Sequence, residues 1–166
     1  IRPGNNKAKQ NDFKKIYAIN VRGMYLALRE LVNLMASHQK KGRVITIASQ
    51  AGKNPYRGMS AYVTSKHAVI GLTKNLALEV AKDGILVNAV CPGIIETPMK
   101  HRERIDGGLL RNMTPEAVAE EDASQVPIGR TGTPQDVANV VLFLASPLAS
   151  YLTGQAINVT GGMTMH

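Results

Sequence analysis

The chain has 166 residues, 44% of them apolar and 19% charged, with a formal net charge of +8. This length allows one domain with a real hydrophobic core, read here over residues 1–166, and no stretch is long and apolar enough to cross a bilayer. The basic balance does not indicate a nucleic-acid partner, because the lysines and arginines are dispersed in small groups and aromatics make up only 4% of the chain, too few for stacking platforms.

The opening IRPGNNKAKQ is polar, without an initiator methionine or the basic-then-apolar build of a secretion signal. It is expected to be the middle of a longer protein. NDFKKIYAINVRGMYLALRELVNLMASHQ then places Phe13, Ile16, Tyr17, Met24, Leu28, Leu31 and Met35 at helical spacing, with Asn11 or Asp12 as cap and a bend expected at Gly23. RVITIAS is an almost continuously apolar strand, as in a sheet buried on both faces. The loop QAGKNPYRGM follows. A second helix runs from about Ser60 to Lys82 and stops near Asp83-Gly84.

ILVNAVC is the second strand, broken by Pro92-Gly93. The lone Cys91 within it excludes an internal disulfide and is expected to be a buried, unreactive thiol in a reduced, cytoplasmic protein. From Lys100 to Pro127 the chain turns polar and irregular, with short helices, one starting at Thr114-Pro115-Glu116, where Thr caps and Pro takes the first helical position. Thr133-Pro134-Gln135-Asp136 repeats that signature and opens the apolar helix DVANVVLFLAS, and QAINV is the third strand. Helices alternating with buried-type strands predict an α/β fold with a doubly wound parallel sheet. Because strands this apolar need neighbours, three of them are expected to be the C-terminal part of a larger sheet.

AYVTSKHAV carries the chemistry. Tyr62 and Lys66, at i and i+4, share one helix face. A phenol ionises near pH ~10, so it serves as acid or base at neutral pH only where a fixed positive charge favours the phenolate. Y-x-x-x-K alone is a weak motif in a chain with five tyrosines, and its context gives it weight. The strand RVITIAS ends at Ser49, and the loops after strand C-termini are where α/β sheets place ligands. A second such crevice follows ILVNAVC, where PGIIETPM supplies a sharp turn and the hydroxyl of Thr97.

Asn20 in INVRG, Ser49 in ITIASQAG, Tyr62 and Lys66 in YVTSK, VNAVCPGIIETPM and the terminal YLTGQAINVTGG together resemble the short-chain dehydrogenase/reductases, from Asp12 onward. The family's glycine-rich phosphate loop, T-G-x-x-x-G-x-G, does not occur in the chain. The resemblance implies a Rossmann-like fold and an enzyme that moves hydride between NAD or NADP and an alcohol/ketone pair. It implies a catalytic tetrad of Asn20, Ser49, Tyr62 and Lys66, with Tyr62 as general acid or base, Ser49 bonded to the substrate oxygen, and Asn20 holding a water that relays protons from Lys66. Tyr62, Lys66, Pro92, Gly93, Ile95 and Thr97 would contact the cofactor. Residues 99–127 would form the substrate-binding loop, where Lys100, Arg102 and Arg104 form either an anion-attracting patch or a solvated basic face. A polyol or small hydroxy-ketone is the expected substrate, with a 3-oxoacyl thioester reductase and a non-catalytic nucleotide-binding protein as alternatives. A homotetramer is the expected assembly. His38, His67, His101 and His166 show no ligand spacing, so no metal site is expected.

Overall fold

Helical spacing of apolar residues produces one long rod in three parts: α1 (Gln10–Tyr17), a π-helical segment Ala18–Gly23, and α2 (Met24–Ser37). The computed structural model describes residues 10–166, so the polar start, residues 1–9, lies outside them. Asn11 and Asp12 lie within α1, so neither is its cap. The irregularity expected at Gly23 is the wider π turn that ends at this glycine; backbone angles stay helical on both sides, so the rod continues without a break.

β1 (Gly42–Ile47), β2 (Ile85–Pro92) and β3 (Ala156–Val159) form a single parallel sheet in the order β1-β2-β3, with Ile47 opposite Val90 and Val90 opposite Ile157. Among the described residues the outer edge of β1 has no strand partner. Alternating side chains of the sheet face two helical layers. Val44, Ala48, Val87, Ala89 and Cys91 pack on α2 and on α3 (Ser60–Val80), through Leu28, Val32, Val69, Ile70 and Ala77. Val90, Ile45, Ile157 and Val159 pack on α6 (Pro134–Ala145), around Leu144. Each fully buried aliphatic side chain here stabilises the fold by about 1.5–3 kcal/mol relative to exposure. Gly84 ends the α3 crossover at φ +73°, a left-handed position that glycine occupies without a Cβ clash.

The segment expected to be irregular holds two regular helices, α4 (Pro98–Arg111) and α5 (Pro115–Ser124). α4 is 14 residues long despite Gly107-Gly108, because its ends are well closed. Thr97 Oγ accepts from Lys100 N at 3.1 Å, Pro98 takes the first turn, and Asn112 closes the last at φ +53°.

A buried guanidinium fastens this helix pair to the end of β2. Arg104, 5% exposed, makes two parallel bonds to Glu96, at 2.8 and 2.6 Å, and a third to Asp122 Oδ2 at 2.8 Å. Thr131 donates to the same Glu96 carboxylate at 2.5 Å, and Lys100 reaches Asp122 at 3.1 Å. One cation thereby joins the turn after β2, α4, α5 and the loop before α6. The bonds from Arg104 hold the Glu96 carboxyl down at about 2, from an ordinary 4.5.

The unfolded chain binds the Glu96 proton more tightly than the folded protein, so the pair's stabilisation is complete above pH 4.5 and is lost as pH falls from 4.5 toward 2. Arg104→Met should destabilise the protein by about 3 kcal/mol at pH 7, because two carboxylates lose their partner. That corresponds to a thermal midpoint lower by roughly 10 °C. It should also flatten this acid limb in thermal melts recorded against pH; a variant melting like wild type at pH 7 would remove the stabilising role.

Candidate active site

The C-terminal ends of β1 and β2 lie side by side, and the residues singled out in the sequence surround them. Ser49 stands two residues beyond β1, in extended backbone, and caps the short 3-10 turn Gln50–Gly52. Its Oγ accepts from Ala51 N at 3.1 Å, which leaves the hydroxyl proton free to be donated outward. The turn fits because position 52 is glycine: a Cβ there would lie 2.8 Å from the Lys66 carbonyl oxygen on α3. Contact at that distance seats the Ser49 turn directly against the helix that carries Tyr62 and Lys66.

Lys66 leans back from α3 over the end of β1. Its Nζ donates to the Ile47 carbonyl oxygen at 3.2 Å and lies 5.7 Å from the centroid of the Tyr62 ring, a cation–π distance. Burial lowers the Lys66 pKa, and the neighbouring Cys91 acts in the opposite direction. Tyr62 is half-buried, and its hydroxyl makes no hydrogen bond to any described residue, so this proton donor and acceptor is uncommitted.

Asn20 lies in the π-helical segment and donates through Nδ2 to Ser65 Oγ at 3.1 Å; the wholly buried Ser65 donates in turn to the Tyr62 carbonyl oxygen at 2.8 Å. The carboxamide thus ties the long helix to α3, directly between the tyrosine and the lysine. Cys91 is fully buried beneath the site. Burial pushes its thiol up, opposed by Lys53, by the Ser49 backbone N–H and by Lys66, so it is a packed, inert thiol.

Pro92 ends β2, and Gly93 N donates to the Val159 carbonyl at 3.0 Å. A Cβ at Gly93 would meet Thr160 Cα at 3.0 Å and Gln50 Oε1 at 3.2 Å, so glycine lets the turn lie flat between the Ser49 turn and the end of β3. Ile95 bridges Gly132, and Thr97 caps α4. Asn20, Ser49, Tyr62, Lys66, Pro92, Gly93, Ile95 and Thr97 therefore gather at one end of the sheet. Arg104 does not belong with them as an anion-attracting group, because Glu96 and Asp122 neutralise it; Lys100 pairs with Asp122, and Arg102 is solvent-exposed.

Three residues at this end had no signal in the sequence. Gln50 is 7% exposed, and its buried Oε1 has no hydrogen-bond partner. Lys53 reaches two backbone carbonyls more than 100 residues away in the chain. Glu96 anchors Arg104. Each is set by long-range geometry, although a glutamate just before a Thr-Pro helix start is a pattern worth reading.

A family model described as enoyl-(acyl carrier protein) reductase matches residues 4–164. The chain is 41% identical, over 96% of its length, to a 3-oxoacyl-[acyl-carrier-protein] reductase of Rickettsia felis, and spans 61% of that relative. Among solved structures, it is similar to sorbitol-6-phosphate 2-dehydrogenase from Erwinia amylovora (38% identity, TM-score 0.91), covering 95% of this chain and 62% of the other. It is also similar to an actinorhodin polyketide ketoreductase variant with NADPH (35% identity, TM-score 0.91), covering 99% and 65%. The sheet is accordingly Rossmann-like, with three strands among the described residues. A match along nearly the whole chain, on a parallel sheet with Tyr62 and Lys66 at its carboxyl end, leads to one conclusion: the chain belongs to the short-chain dehydrogenase/reductase family.

Proposed function

We propose that this chain carries the catalytic part of an oxidoreductase that interconverts a secondary alcohol and a ketone with NAD or NADP. The observation that carries this reading is the Lys66 ammonium, held over the end of β1 and facing the Tyr62 ring at 5.7 Å. The residues present fit the nicotinamide end of a dinucleotide: a cation at the carboxyl end of the sheet, a Pro92-Gly93 turn that closes β2 beside the Ser49 turn, and a Thr97 hydroxyl whose proton is not used by its capping bond. Tyr62, Lys66, Pro92, Gly93, Ile95 and Thr97 would hold it. When bound, NAD(P)(H) supplies the hydride to the carbonyl carbon or takes it from the alcohol carbon.

In the reducing direction, negative charge grows on the substrate oxygen. Ser49 donates its free hydroxyl proton to that oxygen as a hydrogen bond, and Tyr62 transfers its phenolic proton to it. Lys66 stabilises the charge left on the phenol oxygen, and the burial that lowers its pKa makes its ammonium a better proton donor than an exposed one. Asn20 commits its amide nitrogen to Ser65, so its carbonyl oxygen is the group that would hold a relaying water. Every step reverses for oxidation.

The substrate is a polyol or small hydroxy-ketone. The likeness to sorbitol-6-phosphate 2-dehydrogenase from Erwinia amylovora, over 95% of this chain, supports this choice. One observation favours a 3-oxoacyl thioester as the second reading. α4 begins at Thr97 and exposes Met99, Ile105 and Leu109, an apolar cover for an acyl chain over the 99–127 segment. A cytoplasmic location is supported by the free, buried thiol of Cys91. Assembly into a homotetramer is supported by a groove of about 360 Å³ between α2 and α3, floored by Leu28, Val32, Leu72 and Leu76; sedimentation equilibrium giving a monomer would remove it.

In the full-length protein, Tyr62→Phe should lower kcat by about 10²–10⁴-fold, with a far smaller change in cofactor Kd because the ring is retained. Undiminished turnover would overturn the assigned role. A spectrophotometric panel of vicinal diols, hydroxy-ketones and 3-oxoacyl thioesters, with NAD(H) and NADP(H), decides the substrate class; bound cofactor with no turnover of any member would make the protein a nucleotide sensor.

A further inference from the structure

The chain beyond β3 folds back over the sheet and hooks onto the loop that carries Ser49. Lys53 extends between them, and its Nζ donates to the Ala156 carbonyl at 2.8 Å and to the His166 carbonyl at 2.6 Å. Asn54 Nδ2 donates to Thr164 Oγ1 at 2.6 Å, across 110 residues of sequence. The far side is itself closed into a loop. Thr160 Oγ1 accepts from Thr164 N and donates to Thr164 O, both at 3.2 Å, while Asn158 Nδ2 donates to Thr164 O at 3.0 Å and His166 O at 3.1 Å. Thr164 is buried at 5% exposure, so its bond to Asn54 is shielded from water.

We propose that residues 160–166 form a strap that positions Ser49 for proton donation, through the positioning residues Lys53 and Asn54. The turn after Ser49 is gripped from two sides. On one, Gly52 lies against the Lys66 carbonyl, with no room for a Cβ. On the other, Lys53 and Asn54 fix the turn's exit to β3 and to the strap. Inside the turn, Gly52 N bonds to Ser49 O at 2.9 Å, and Lys53 N and Asn54 N bond to Gln50 O at 3.0 and 2.9 Å. Where the exit residues stand therefore sets where Ser49 Oγ points. This rests on the reading of Ser49 as the donor to the substrate oxygen.

The test uses the full-length protein with three variants: Lys53→Met, Thr164→Val and Lys53→Arg. Lys53→Met and Thr164→Val cut the strap from opposite ends. Each should lower kcat by about 10- to 100-fold, the scale of a misplacement near 1 Å. NADH and NADPH affinity should stay at wild type, and amide exchange at Gly52, Lys53 and Asn54 should quicken. Lys53→Arg should regain most of the turnover. Wild-type kcat per folded molecule in both cut variants overturns the proposal, as does a loss of cofactor affinity in step with kcat, which marks general loosening. If the wild-type protein turns over no substrate, the reading of Ser49 fails separately, and unchanged exchange at those amides in the cut variants then overturns the strap.

Discussion

The structure depends on where one ammonium group sits. Lys66 reaches back from the end of the second turn of α3 to the carbonyl oxygen of Ile47, the last residue of β1, and in doing so passes beside the Tyr62 ring. A strand's last carbonyl at the carboxyl end of a parallel sheet has no ladder partner of its own, so this bond both satisfies the strand and fixes the cation. Partial burial makes the charge expensive to hold, which lowers its pKa and keeps it responsive to whatever negative charge forms nearby. Everything else at this end of the molecule serves to keep that arrangement in register: Gly52 allows the close approach, Ser65 and Asn20 brace the helix, and Cys91 fills the space beneath.

A second charged centre performs a mechanical task. Glu96, Arg104, Asp122 and Thr131 belong to four different segments, and their mutual bonds make the turn after β2, α4 and α5 one body with the loop that leads into α6. Because this cation is spent on carboxylates, the basic residues of α4 contribute little net attraction for an anionic substrate. Beside its exposed charged residues, α4 also presents Met99, Ile105, Leu109 and Leu110 to its surroundings. The two centres divide the labour: one stays poised to exchange protons, the other is neutralised and rigid.

Much of this was legible in the sequence, for reasons that can be named. The three strands could be read because a sheet covered on both faces needs continuous apolar runs, and Val44, Val87, Ala89 and Val90 are indeed buried. Tyr62 and Lys66 could be paired because helical spacing alone brings i and i+4 together. The missed helix is instructive: Thr97-Pro98 is the same start signal as Thr114-Pro115 and Thr133-Pro134, and all three threonines accept from the backbone three residues on. The charged, glycine-bearing run after Thr97 hid a helix whose closed ends outweigh its weak interior. Lys53, Gln50 and Arg104 were not legible, because their environments are made by residues that only the finished fold brings near.

The π-helical segment Ala18–Gly23 has a consequence for how the protein tolerates change in length. Its wider turns absorb one residue more than a regular helix would need over the same rise. Deleting a single residue there would relax the backbone into ordinary α geometry and leave the two halves of the rod in their present relative orientation, because the wide turn already takes up the extra residue. Leu28 and Val32 would still face the core, while the wide turn that sets Asn20 opposite Ser65 would be gone. The wide turn thus serves the reach of Asn20 rather than the packing of the rod, and none of its side chains is buried.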